Sequence, residues 1–128
     1  MNYLLDTNAL IWYCEDSLKL SSQIKEIIKS QNHSIYVCSV SLWEITIKTS
    51  LNKLKIDLSI DELFSAIKTW DVTLLNIDSS HLNVLAGLPY IHKDPFDRLI
   101  VSSAIAEDLT IISSDENIHK YDVPCVWE

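Results

Sequence analysis

Short apolar runs of β character alternate with amphipathic helical stretches along this 128-residue chain, and that alternation constrains its fold most. Asn2-Tyr3-Leu4-Leu5, Ile35-Tyr36-Val37-Cys38, Thr73 to Ile77 and Thr110-Ile111-Ile112 read as strands, and Cys125-Val126-Trp127 is a final apolar run. A helical stretch follows Asp6-Thr7-Asn8 to about Cys14, and Ile24, Ile27 and Ile28 form a stripe behind Ser21-Ser22. Ser41 opens a helix with Trp43, Ile47 and Leu51 along one side, and Ile60, Leu63, Phe64 and Ile67 mark another that ends near Trp70. A short helix spans His81 to Leu88. Pro95 starts a long one whose inward face is Phe96, Leu99, Ile100, Ser103 and Ala104, and a last turn begins near Glu116. Strands separated by helices are joined by crossovers, so they lie parallel and are covered on both faces. The expected fold is α/β, a three-layer α/β/α with a parallel central sheet, in one domain over 1–128.

Gly87 is the only glycine. A phosphate-binding P-loop needs two and a dinucleotide fingerprint three, because the backbone must approach phosphate closely, so both are excluded. Three cysteines without a C-x-x-C pair read as core residues rather than a disulfide frame or zinc site. No apolar run approaches the roughly 20 residues that span a bilayer, so no membrane partner is expected. The opening Met1 to Asp6 lacks a secretory pattern, and the expected location is cytoplasmic. The formal charge is −8, and it is uneven: residues 1–60 hold six acids and six bases, residues 61–128 twelve acids and four bases. Such a balance excludes a protein that coats nucleic acid by charge alone. It leaves room for an enzyme whose carboxylates are the working parts.

In parallel sheets, sites form where loops leave the carboxyl ends of strands. Asp6 follows the first strand and Asp115 the fourth. Glu44 sits early in the helix after the second, and Asp94 and Asp97 open the long helix. Each acid alone has an ordinary structural use. Asp6 or Thr7 can cap the first helix, Ser41 and Glu44 fit a capping box, Asp94 can cap before Pro95, and Ser114 or Asp115 can cap the last turn. Jointly, capping explains less, because Ser, Thr or Asn would serve as well. Converged carboxylates raise one another's pKa unless a cation joins them. An all-oxygen set suits Mg2+ or Mn2+, ions that lower the pKa of a bound water and offset charge on a phosphodiester.

These residues resemble the motifs of PIN-domain ribonucleases. Leu5-Asp6-Thr7-Asn8-Ala9-Leu10 is similar to the opening motif and Ser41 to Lys48 to the second. Leu88 to Ile100, containing Asp94-Pro95-Phe96-Asp97-Arg98, resembles the third in the form typical of VapC toxins of bacterial toxin–antitoxin pairs, and Ile112-Ser113-Ser114-Asp115 resembles the fourth. The motifs occur in family order from Leu5 to Asp115. The resemblance implies a Mg2+- or Mn2+-dependent endoribonuclease with catalytic Asp6, Glu44, Asp97 and Asp115, of which Asp6, Asp97 and Asp115 hold metal and Glu44 orients water or completes the metal shell. It also implies Asn8 and Ser114 in support, an RNA substrate, a cognate antitoxin covering the site, and a homodimer. Two departures stand out. Ser113 replaces a frequent threonine and keeps its hydroxyl. Asn52 replaces a glycine before Lys53-Leu54, and Asn tolerates the left-handed conformation required there.

Lys48, Lys53 and Lys55 form the one basic stretch and are candidate RNA contacts, as a small basic lip beside the acids. Lys48 also fits a surface pair with Glu44 four residues earlier. Arg98 is a candidate phosphate contact or a structural ion pair, and His92 reads as an exposed loop residue. Trp12, Trp43, Trp70 and Trp127 read as core or dimer-interface residues. A phosphoacceptor receiver needs an acidic pair after strand one, and a haloacid-dehalogenase phosphatase needs Asp-x-Asp; Asp6-Thr7-Asn8 supplies neither. The remaining alternative is a non-catalytic PIN-like module that binds RNA or protein.

Overall fold

The computed structural model describes residues 1–127. In chain order its elements are β1 (Asn2–Leu5), α1 (Thr7–Cys14), α2 (Ser22–Lys29), β2 (Ser34–Cys38), α3 (Ser39–Ser50), α4 (Ile60–Thr69), β3 (Thr73–Leu75), α5 (Ser79–Gly87), α6 (Pro95–Glu107), β4 (Thr110–Ile112), α7 (Glu116–His119) and β5 (Cys125–Val126). The strands form one sheet in the order β3-β2-β1-β4-β5, and every pair is parallel. Alternate residues leave a strand on opposite faces. Tyr3, Leu5, Ile35, Val37 and Ile112 accordingly face one core, with Leu10, Ile24, Ile28, Ile45, Leu63 and Ile67 of the covering helices. Leu4, Cys38 and Ile111 face the other, with Ile100, Val101, Ala104 and Ile118. This is the three-layer α/β/α arrangement that the alternating pattern predicts.

Three features depart from the sequence reading. α3 begins at Ser39, straight from β2, with Cys38 at the cap and no side-chain cap bond. That start turns Val40, Leu42 and Ile45 into the core, while Trp43 and Leu51 are 60% and 57% exposed. The other three tryptophans pack half-buried against the first core. β3 stops at Leu75, because Asp78 is committed to capping α5 through the amides of Ser80 and His81. α5 packs along α6, and its buried side chain, His81, has Nε2 2.6 Å from the Glu107 carboxylate of α6.

With one glycine in the chain, helix ends need another residue that enters the left-handed region. Asp16, Asn52, Asp71 and Asp108 do so, with φ of 50°, 57°, 58° and 57°. Asn52 closes α3 as expected: its amide reaches Thr49 O at 3.1 Å, and the Lys53 amide reaches Lys48 O at 2.9 Å. That is a Schellman closure, and the other three positions repeat it. Short polar side chains tolerate this conformation better than others, and β-branched residues tolerate it worst. Asp108→Val is therefore expected to cost about 1–2 kcal/mol in thermal or urea unfolding, and Asp108→Gly nothing. Equal losses from both would place the role of Asp108 in its carboxylate rather than its backbone.

Candidate active site

Strand register brings the predicted acids to one rim. Leu5 pairs with Val37 on one side and Ile112 on the other, so the next residues out are Asp6, Cys38 and Ser113. The Asp6 amide extends the ladder to Ile112 O at 3.1 Å. From this edge α1 leaves after Asp6, α3 after Cys38 and α7 after Asp115. The strand order reverses at β1, the place where parallel sheets open a crevice. The cleft there has a volume of about 210 Å3 and is lined by Asp6, Thr7, Asn8, Glu44, Lys48, His92, Asp94, Asp97 and Asp115. A larger hollow of about 590 Å3, beside Lys29, His33 and Asp71, gathers no acid cluster.

Asp6 is 3% exposed and caps α1, with Oδ1 accepting from the Ala9 amide at 2.8 Å. Burial pushes its carboxyl up to about 6; the Ser113 hydroxyl and the Ala9 amide pull the other way, and Asp115 and Glu44 add to the rise. Glu44, also 3% exposed, has both oxygens engaged. Thr7 Oγ1 donates to Oε1 at 2.7 Å, and Lys48 Nζ donates to Oε2 at 2.5 Å. Ser41 Oγ lies 2.9 Å from Thr7 Oγ1. Thr7 has a single hydroxyl proton and gives it to Glu44, so Ser41 donates to Thr7. The expected Ser41–Glu44 capping box does not form, because α3 starts two residues early and aims both side chains at α1.

Asp94 caps α6, with Oδ1 accepting from the amides of Phe96 at 2.8 Å and Asp97 at 3.2 Å. Asp97 projects into the cleft, its carboxyl pushed up to about 7 by burial and by the Asp94, Asp6 and Glu44 carboxylates, against the pull of His92. Asp115 caps α7 through the Asn117 amide at 2.8 Å. Burial raises its pKa, but hydrogen bonds from His92 and from the Asn117 and Ile118 amides outweigh that and hold it below the usual carboxylate value.

His92 is the residue that sequence reasoning misplaced. Rather than an exposed loop residue, it bridges Asp97 Oδ2 at 3.0 Å and Asp115 Oδ2 at 2.9 Å through Nε2. Its Nδ1 accepts the Asp94 amide at 3.1 Å, which puts the ring proton on Nε2. A ring so fixed donates to the carboxylates and has no lone pair there for an ion. Its only sequence signal is its place two residues before Asp94-Pro95, where the chain must stay extended into the helix cap.

Other candidates separate. Asn8 lines the cleft, but the Asp6 carboxylate is held by the Ala9 amide and the Ser113 hydroxyl. Ser114 is exposed and lies outside the cleft lining; the buried hydroxyl of this motif is Ser113, whose Oγ accepts the Asp115 amide at 3.0 Å. Of the lysines only Lys48 lines the cleft, already paired with Glu44, and Lys53 and Lys55 are exposed outside it. Arg98 faces away from the acids. Its guanidinium donates to Pro89 O at 2.9 Å and Leu88 O at 3.4 Å and lies 4.9 Å from the Tyr90 ring centroid, so it anchors the loop before α6. The arrangement thus gathers the carboxylates of Asp6, Asp97 and Asp115, with Glu44 held beside them by Lys48 and Thr7; Asp97 Oδ2 and Asp115 Oδ2 are engaged by His92, which a cation binding at those oxygens would have to displace.

A family model for the PIN domain matches residues 3–124. The fold is similar to that of VapBC2 from Rickettsia felis bound to a DNA fragment from their promoter, with TM-score 0.72, 18% identity and 100% of both chains covered. DNA-bound VapBC from Salmonella typhimurium matches with TM-score 0.69 at 14% identity, over 98% of this chain and 97% of that one. VapBC-5 from Mycobacterium tuberculosis, described as a member of the VapBC family of toxin–antitoxin systems, matches with TM-score 0.63 at 15% identity, over 99% and 98%. At these identities the likeness concerns the fold. No curated protein matches the sequence. No described helix is long and apolar enough to cross a membrane.

The charge strain in the cleft is measurable. Asp6 and Asp97 titrate near 3.8 when unfolded but near 6 and 7 when folded, so between about pH 4 and 7 the folded chain keeps protons that the unfolded chain has lost. Stability is therefore greater at the low end of that window and falls as pH rises through it. In EDTA the melting temperature is expected to decline from pH 5 to 7.5. Asp97→Asn, which keeps an oxygen for His92, should flatten that decline and melt higher at pH 7.5; at this chain length about 1 kcal/mol moves Tm by roughly 3–5 °C. A pH profile identical to wild type would mean that Asp97 is not strained.

Proposed function

This chain belongs to the PIN domain family, and on that premise we propose that it is a divalent-metal-dependent endoribonuclease, the toxin of a toxin–antitoxin pair. The observation that carries the reading is the gathering of Asp6, Glu44, Asp94, Asp97 and Asp115 into one cleft, with Lys48 the one lysine or arginine among the described residues that line it. Burial first, and the neighbouring carboxylates with it, push two of those carboxyls up to about 6 and 7, and a divalent cation among them would offset both. The donor set is oxygen only, which fits Mg2+ or Mn2+.

Asp6, Asp97 and Asp115 would hold the metal. Once bound, such an ion supplies a water of lowered pKa and positive charge against the phosphodiester oxygens. The chain's own groups set the geometry. The amides of Ala9 and Asn117 each fix one oxygen of Asp6 and Asp115, and His92 engages the other oxygen of Asp115. His92 holds Asp97 and Asp115 at a set spacing. Lys48 and Thr7 hold the Glu44 carboxylate in place, where it would orient water for a bound phosphodiester. Nothing in the cleft offers a nucleophilic Ser–His or Cys–His pair, so direct hydrolysis by water is the reaction class.

RNA as substrate, a cognate antitoxin over the cleft, a homodimer and a cytoplasmic location complete the proposal. It is supported by the family, by the third motif with Asp94-Pro95-Phe96-Asp97-Arg98, and by neighbours named as VapBC assemblies. Lys48 keeps a place in substrate binding because it lines the cleft; Lys53, Lys55 and Arg98 do not reach it.

The test is cleavage of total RNA with Mn2+ by wild type, Asp6→Asn and Asp97→Asn. Each variant is expected to lose about 100-fold or more in rate while melting at or above the wild-type temperature. Equal cleavage by all three proteins would assign the activity to a contaminant. A metal-loaded wild type that binds RNA without cutting it would make the chain a non-catalytic binding module.

A further inference from the structure

A ring N–H group stands among the cleft acids. His92, its side chain 12% exposed, has Nε2 3.0 Å from Asp97 Oδ2 and 2.9 Å from Asp115 Oδ2. One ligand-type atom from each of the three falls within 4.8 Å of the others, the spacing of a metal site that counts His92 as a ligand. The far side of the ring argues otherwise. Nδ1 accepts the Asp94 amide at 3.1 Å, so Nε2 carries the hydrogen that the two carboxylates share. The opposite tautomer would set two N–H groups against each other at Asp94. An ion held by the same two oxygens, at the roughly 2.1 Å that Mg2+ takes, would face the Nε2 hydrogen, positive toward positive. Ring and ion therefore exclude each other at these oxygens.

Tyr121 decides how the ring can leave. Its hydroxyl oxygen accepts the amides of Ile91 at 3.2 Å and His92 at 2.8 Å, while Arg98 holds the carbonyls of Leu88 and Pro89. The backbone leading into His92 is thereby tied to α6 and to the buried ring that follows α7. Rotation of the side chain disturbs far less, breaking only the bond from the Asp94 amide besides those to the two acids. We propose that His92 is a resident plug of the metal site: it spans Asp97 and Asp115 until a divalent cation displaces it, and it leaves by side-chain rotation on a fixed backbone. The inference rests on the metal-dependent reading of the cleft. His92 is then a positioning residue with two opposite effects. Without the ion it steadies two carboxylates against their mutual repulsion, and by the same bonds it weakens their hold on the ion. A ligand, or a brace that only preorganises the acids, would strengthen that hold instead.

Calorimetric titration with Mn2+ at neutral pH, without RNA, compares wild type, His92→Ala and His92→Gln. His92→Ala is expected to bind the ion about tenfold or more tightly, because a hydrogen bond to charged groups no longer has to be broken. The same variant should melt below wild type in EDTA. His92→Gln, whose side-chain amide can donate from a similar reach, should return both values most of the way to wild type. Affinity that is unchanged or lower in His92→Ala overturns the plug, since the ring then leaves the ion's oxygens alone or supports them. Hydrogen exchange read by NMR needs the wild type alone and stands even if His92→Ala does not fold. Under saturating Mg2+ the Asp94 amide is expected to exchange faster, having lost its acceptor; an amide equally protected with and without Mg2+ overturns the plug. Failure of the underlying reading has a different signature. No binding heat from any of the three proteins rejects the metal site and the plug together, whereas equal binding by wild type and His92→Ala keeps the metal site and rejects only the plug.

Discussion

A parallel sheet sends every strand's carboxyl end, and the start of the helix that follows, toward the same rim. Three of the five acids in the cleft are helix caps there: Asp6 for α1, Asp94 for α6 and Asp115 for α7. Each gives one oxygen to backbone amides, and all three line the cleft. Capping and metal holding are thus two uses of the same carboxylate. The amides and the positive ends of α1 and α6 make bearable a charge density that would otherwise open the rim. Burial and the neighbouring carboxylates still hold the Asp6 and Asp97 carboxyls above the usual range.

The remaining acids are stabilised differently. Glu44 is far enough into α3 that no free amide is available, and it depends on Lys48 one turn later and Thr7 across the cleft. Asp97 has no backbone partner of its own and leans on His92, which Asp94 and Asp115 hold in turn. The cleft is therefore a connected set of hydrogen bonds in which a change at one member reaches the others. Arg98 belongs to this set indirectly, by pinning the Leu88–Pro89 backbone from which the His92 loop departs.

Near-absence of glycine shapes the scaffold as much as it narrows the chemistry. Four helix ends that commonly turn on glycine turn here on Asp16, Asn52, Asp71 and Asp108. Their side chains stay polar and exposed, so part of the chain's acidity is conformational rather than functional. The net charge of −8 divides accordingly between helix closures, cleft and caps.

The Asp94 cap, the places of the strands and the left-handed Asn52 were legible in the sequence because each is set by a few adjacent residues: an Asp before Pro, an apolar run, a short polar side chain after a helix. The layer order followed from alternation, and the four acids from motifs placed at strand ends. What the sequence could not supply depended on register and on the rotation of α3. Starting that helix at Ser39 turned Ser41 and Glu44 toward Thr7 and left Trp43 outside. Pairing Leu5 with Ile112 chose Ser113 over Ser114 as the buried hydroxyl. His92 acquired its partners only when α6 and α7 were brought together, and Lys53, Lys55 and Arg98 were carried off the cleft by the same packing. Local propensity acts over one or two helical turns, whereas these contacts join residues 23 to 37 positions apart and exist only once the sheet has fixed where each helix starts.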